Sequence, residues 1–226
     1  VVISINGNVD KDKVVADFTK IFNGKKGEKF DYGKYSVAQL TGKKQACTTV
    51  KDLKTDWIIY GWQTDGVLNR KEYATLQVID SLLGSGMSSR LFKNLRDKDG
   101  LAYQLGSQFS PHIVKGSFIT YIGTNPENLD YAQKRMLEEV FRLKVEFVGS
   151  KELQEAKDKL LGHYIIGQET NLDKATTIGW FETSGRGYKF DDQYAQLINS
   201  VTESDIIEVA NKVFTNNYVL SIVKPQ

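Results

Sequence analysis

Apolar residues recur along this chain with two different periods, and the switches between them mark its elements. Val1-Val2-Ile3-Ser4-Ile5 is a β-branched run stopped by Asn6-Gly7-Asn8, which predicts a strand and a turn. Val14, Val15, Phe18, Ile21 and Phe22 then return at helical spacing, and Asn23-Gly24 suits a helix end. Residues 24–46 are rich in Lys and Gly with little periodicity, so 25–47 is assigned as a linker. The next strand is expected from about Thr48 to Gln63. Its Trp57-Ile58-Ile59-Tyr60-Gly61-Trp62 stretch has bulky residues on both phases, as in a strand covered on both faces over part of its length.

A helix is expected from about Arg70 to Leu83, with Tyr73, Leu76, Ile79, Leu82 and Leu83 inward, broken by Gly84-Ser85-Gly86. Ser88 is suited to cap a second helix running to about Lys98, with Leu91, Phe92 and Leu95 inward and Gly100 at the residue beyond its end. Two strands follow, about Leu101–Ser110 and Gly116–Thr124, close enough in sequence for an antiparallel hairpin. Asn125-Pro126 opens a long helix through Met136, Val140, Leu143 and Phe147, and Ser150 is suited to cap the next. Helical segments about Ala175–Ser184, Asp191–Asn199 and Glu203–Phe214 precede a closing strand, Tyr218 to Val223. Thr202 and Asp205 have the spacing of a capping box. Strands and helices are largely segregated, which predicts an α+β domain: a mostly antiparallel sheet with helices packed on one face.

Composition changes this picture little. The 226 residues include 30 basic and 28 acidic ones, and no basic block stands out, against nucleic acid as a main partner. A chain of this size buries roughly 70% of its unfolded surface and needs no disulfide or metal staple. Cys47 is the single cysteine, read as a small semi-buried residue, and it allows no internal disulfide. No run approaches the ~20 apolar residues of a membrane span. The opening at Val1, without Met, reads as the interior of a longer protein.

Candidate chemistry is sparse. His112 and His163 are the two histidines, and neither has a His or Cys partner at the spacing that puts two ligands on one helix face, so no metal site is assigned. Gly84-Ser85-Gly86-Met87-Ser88-Ser89 follows a helix rather than a strand and lacks the Gly-Lys-Ser/Thr of a phosphate loop. There is no Gly-x-Ser-x-Gly elbow. Arg96 and Tyr103 remain. A helix-end Arg and a strand-start Tyr on either side of a glycine corner can present a cationic fork and a phenol to one ligand. An extended peptide could also add to a sheet edge nearby. The alternative is structural: the helix dipole favours Arg96 where it is, and Tyr103 shares its phase with Leu101, Leu105 and Phe109, as a core residue would.

Leu83-Gly84-Ser85-Gly86-Met87-Ser88-Ser89-Arg90-Leu91-Phe92 followed by Leu95-Arg96-Asp97-Lys98-Asp99-Gly100-Leu101-Ala102-Tyr103 resembles the C-terminal signature of the pitrilysin/insulinase family of zinc peptidases. That family includes mitochondrial processing peptidases and respiratory-complex core proteins. Ser85 departs from it, a third Gly being more usual there. The resemblance implies a mitochondrial processing peptidase-like domain over residues 48–226, with residues 1–24 the closing strand and helix of a preceding homologous domain. Val2-Ile3-Ser4-Ile5 and Val219-Leu220-Ser221-Ile222 would then be equivalent strands. It implies that Arg96 binds a substrate carbonyl and that Tyr103 is catalytic, donating to the oxyanion. The family's zinc is held by an inverted H-x-x-E-H motif and a distant Glu in the first domain, and this chain contains no such motif. Zinc is therefore expected in an N-terminal half or a homologous partner subunit, with a peptide or protein as substrate and a dimer as one possible assembly. The alternative implied by the same family is a non-catalytic assembly subunit, although Arg96 and Tyr103 are both retained.

Overall fold

The computed structural model describes residues 1–23, 27, 31, 34 and 36–226. Its strands are β1 (Lys44–Val50), β2 (Asp56–Asp65), β3 (Gln104–Ser110), β4 (Lys115–Thr124) and β5 (Val219–Pro225). They form one sheet in the order β1-β5-β2-β4-β3, antiparallel except for the parallel pair β1–β5. The helices are α1 (Lys11–Phe22), α2 (Arg70–Leu83), α3 (Leu129–Arg142), α4 (Ser150–Ile166), α5 (Asn171–Thr183), α6 (Phe190–Asn199) and α7 (Glu203–Val213). The α+β architecture expected from the segregated pattern is therefore present.

Strict alternation along β2 decides which face the sheet gives to the helices. Ile58, Tyr60 and Trp62 are buried with Phe118 and Ile122 of β4 and Leu220 and Ile222 of β5. They pack with Leu76, Ile79 and Leu83 of α2, Met136 and Val140 of α3, and Ile206 of α7. Each such side chain contributes about 1.5–3 kcal/mol by leaving water, so a one-residue slip of β2 would forfeit several at once. Trp57 and Ile59 point the other way and are half-buried. Cover on that second face is local: the Gln63 side chain accepts from the Leu40 N–H at 3.1 Å and donates to the Ala38 carbonyl at 2.9 Å.

Several boundaries differ from the sequence expectation, each for an identifiable reason. The strand expected over Thr48–Gln63 is two strands, because Asp52 adopts φ 66° and turns the chain between β1 and β2. β1 starts at Lys44, so the last residues of the expected linker are sheet. Cys47 lies in that edge strand and is exposed rather than semi-buried. Val1–Ile5 forms no strand; instead it runs beside α5, where Ser4 Cβ would lie 3.1 Å from a Cβ on Gly179. α1 is present, capped by Asp10, but buries none of its residues, and Gly24 lies outside the described residues. α3 stops at Arg142 after a 3-10 turn at Pro126–Asn128, which leaves Phe147 exposed and puts Val148 in the core instead. Gly149, not Ser150, occupies the capping position of α4. The Thr202–Asp205 capping box forms with both of its hydrogen bonds. Among the described residues, no helix is long and apolar enough to cross a membrane.

Candidate functional site

The segment from Leu91 to Tyr103 turns a helix into the edge strand β3. Residues Phe92–Lys98 are wound as a π-helical turn, in which the Asp99 N–H reaches back to the Asn94 carbonyl at 3.0 Å. The sequence reading expected an ordinary helix capped by Ser88. Ser89 instead donates its hydroxyl to the Gly86 carbonyl at 2.7 Å, and apolar spacing over so short a stretch does not separate the two windings. Gly100 has φ 63°, the left-handed conformation that glycine enters without a Cβ penalty, and closes the turn as expected. Its N–H donates to the Arg96 carbonyl at 3.1 Å, and the Leu101 N–H donates to the Leu95 carbonyl at 2.8 Å. Both closing bonds span one residue more than in the common glycine-terminated helix end.

Three anchors hold this corner. Leu95 and Leu101 insert into the core, and the Leu101 carbonyl accepts the Thr124 hydroxyl at 2.7 Å. Arg135 of α3 bonds Asp99 at 2.8 Å. On the other side, Arg90 forms a bidentate pair with Glu152 of α4 at 2.8 and 2.7 Å, which holds the Glu152 carboxyl below its usual range against the opposing effect of burial.

Held this way, Arg96 and Tyr103 both face outward and line one cleft of about 410 Å³, with Asp97, Thr124 and Asn125. Tyr103 is 85% exposed, so the core role that its strand phase allowed does not apply; the strand begins only at Gln104. The Arg96 guanidinium lies 4.5 Å from the centre of the Phe92 ring, a stacking partner that limits its swing while leaving its donors open. A planar cation and a phenol on one rim can together bind two acceptors of an extended backbone. Sequence reasoning missed Asp97, Thr124 and Asp56. Asp56 stands opposite Thr124 in the β2–β4 ladder, and its buried Oδ1 has no hydrogen-bond partner. Nothing in the local sequence marks Thr124 or Asp56, whose places depend on strand register, while Asp97 lies next to Arg96 in the π-helical turn.

The other sequence candidates sit elsewhere. His112 is in the turn between β3 and β4 and His163 is on α4, and both are exposed. Among the described residues no group of three or more His, Cys, Asp or Glu side chains is placed to hold a metal, so the donor set does not fit a zinc centre. The Gly84-Ser85-Gly86 break is a packed structural loop. Lys159 of α4 donates to the Ser81 and Ser85 carbonyls, and burial lowers its pKa. A Cβ on Gly84 would lie 2.0 Å from the Ser107 backbone nitrogen, which accounts for glycine at that position.

Residues 1–160 match the family model described as the peptidase M16 inactive domain. The chain is 30% identical over 224 residues to an "Uncharacterized zinc protease" of Rickettsia felis, covering 99% of this chain and 53% of that protein. It is 28% identical over 229 residues to "Uncharacterized zinc protease YmxG" of Bacillus subtilis, covering 100% and 54%. The chain thus spans about half the length of these relatives. Among solved structures, a protease from Helicobacter pylori superimposes with a TM-score of 0.84 at 23% identity, over 97% of this chain and 54% of that one. A chain of complex III from Candida albicans superimposes with a TM-score of 0.79 at 14% identity, over 96% and 53%. These last two likenesses are of fold.

Proposed function

The chain belongs to the peptidase M16 family through its inactive domain, and from that premise we propose that it is the substrate-clamping wall of a zinc endopeptidase whose metal-binding wall is a separate homologous half. Residues 1–24 are assigned to that preceding half, and the sheet from Lys44 onward with the helices that follow it to the clamp. The observation that carries the reading is the joint exposure of Arg96 and Tyr103 on one cleft, on a corner anchored from beneath. An extended peptide lies in the cleft with a backbone carbonyl on the Arg96 fork. Tyr103 donates its phenolic hydrogen to the carbonyl oxygen of the bond under attack, where negative charge develops. A donor aimed at that developing charge is worth about 100–1,000-fold in rate. The relatives are named zinc proteases, and the metal they imply has no donor set among the described residues of this chain. Its ligands are therefore assigned to the other half, and the dry cleft forms only when the two halves close on the peptide.

The test is peptide hydrolysis by this chain combined with its zinc-bearing half. Tyr103→Phe is expected to lower kcat by about 100-fold or more with assembly unchanged. This chain alone, with zinc added, is expected to hydrolyse nothing, and activity there would end the division of labour. A second reading is a non-catalytic assembly subunit, supported by the family description as inactive and by the likeness of fold to the complex III chain. Under that reading Tyr103→Phe changes no rate, and removing the chain dissolves an assembly.

A further inference from the structure

The π-helical turn that carries Arg96 is gripped by one helix on both sides of that arginine. Asn94 lies within the turn, and its side-chain amide donates to Glu139 Oε2 on α3 at 2.9 Å. Asp99 closes it, and its carboxylate accepts from Arg135 Nε, also on α3, at 2.8 Å. Arg135 and Glu139 are four residues apart and bonded to each other at 3.2 Å. The Asp99 N–H to Asn94 carbonyl bond, 3.0 Å, completes a closed ring of four residues, with Arg96 inside the span it fixes and Tyr103 just beyond. Arg135 also binds Glu138 at 2.8 Å, and its carboxylate partners raise its pKa, so its charge is constant over any working range.

Stability alone is a poor reason for such a ring. The Glu139 side chain is 1% exposed, and those of Arg135 and Asp99 are 18% and 12% exposed. Removing such charges from water offsets most of their mutual attraction, so apolar replacements of similar size are often neutral. What the ring does supply is geometry. A π turn has one residue too many for the ordinary helical ladder and persists where its surroundings impose it.

We propose that the Asn94–Glu139–Arg135–Asp99 ring is a positioning device that holds the π turn so that Arg96 and Tyr103 converge on the same peptide group. The proposal rests on the clamp reading above. Arg135 and Asp99 touch no substrate and act through Arg96 and Tyr103. Misplacing a reacting group by about 1 Å costs up to about 100-fold in rate, which sets the scale of the effect.

The experiment uses this chain combined with the zinc-bearing half and a peptide substrate. Arg135→Met is expected to lower kcat by about 10–100-fold with little change in KM. Glu139 keeps Arg142 at 3.0 Å and Asn94 as partners in that variant, while Asp99, 12% exposed, loses the Arg135 guanidinium, so the loss falls on the corner and not on α3. Asp99→Ala should lose as much, and Asp99→Asn, whose amide oxygen can still accept from Arg135, should recover most of the rate. Combined with Tyr103→Phe, Arg135→Met should cost clearly less than it does alone, because part of its effect passes through that hydroxyl. Amide exchange at Gly100 and Leu101 should quicken in Arg135→Met while β2 and β4 stay protected. A full additional loss in the double variant, a rate unchanged by Arg135→Met where Tyr103→Phe lowers it, or unaltered exchange at the corner overturns the positioning role. If Tyr103→Phe itself has no effect, the clamp reading has failed, and the positioning role with it.

Discussion

At one edge of the sheet, β3 lays its free side against the end of α2, where Asp80 accepts the Ser107 hydroxyl at 2.5 Å and the Phe109 N–H. At the other edge, all seven residues of β1 are exposed, and the strand is held by its backbone ladder to β5. The catalytic candidates belong to the first edge. Unpaired strand edges recruit other chains indiscriminately, and Asp80 covers part of the β3 edge by taking up the Ser107 hydroxyl and the Phe109 N–H. A site that must present two side chains to one peptide group is built where the backbone cannot shift. On this side of the molecule the contacts that cover the edge and those that anchor the corner lie next to each other.

Three further changes would break or sharpen that contrast. The largest effect is expected from Gly84→Ala, which drives a methyl group into the Ser107 backbone and should cost about 3 kcal/mol, at the top of the usual range for overpacking. Urea denaturation measures it, and a loss below about 1 kcal/mol would mean that β3 yields easily. A smaller, pH-dependent loss should follow acidification. Glu152 has its folded pKa depressed by Arg90 below the usual 4.5, so its contribution is full above that value and disappears as pH falls through the lower folded value. Glu152→Gln should flatten stability against pH in that acid window, and an unchanged slope would remove the Arg90 pair from the account. The least effect is expected on the other edge: Thr48→Ala in β1 should stay within about 0.5 kcal/mol in the same denaturation. A larger loss would show β1 to be anchored by more than its ladder.

How much of this could be read from the sequence depends on how far apart the cooperating residues lie. The corner between Arg96 and Tyr103 was legible because Gly100, a left-handed glycine, follows a helical winding and precedes a strand within eight residues. The capping box at Thr202 was legible for the same reason, whereas the strict alternation of β2 was not, because Trp57 and Ile59 put bulky residues on its second face as well. β1 was not, since Lys44–Val50 has little alternation and pairs with residues more than a hundred positions away. Val1–Ile5 shows the converse: β-branched composition predicts a strand, and without a paired edge none forms. The ring around the π turn joins Asp99 to Arg135 across 36 positions, and charge alone does not choose that partner among the chain's many arginines and lysines.

The strand order has a consequence for synthesis. β5 fills the slot between β1 and β2, yet it is made after α3 to α7. Until then β2 leaves the ribosome paired on one side only, with the backbone groups that will meet β5 open. At ~5–20 residues per second the interval between the completion of β4 and the arrival of β5 lasts of the order of 5–20 s. Throughout it, a hydrophobic strand carrying Ile58, Tyr60 and Trp62 has an unoccupied flank in a crowded cell. A nascent chain caught in that interval is the form of this protein on which a holding chaperone would act.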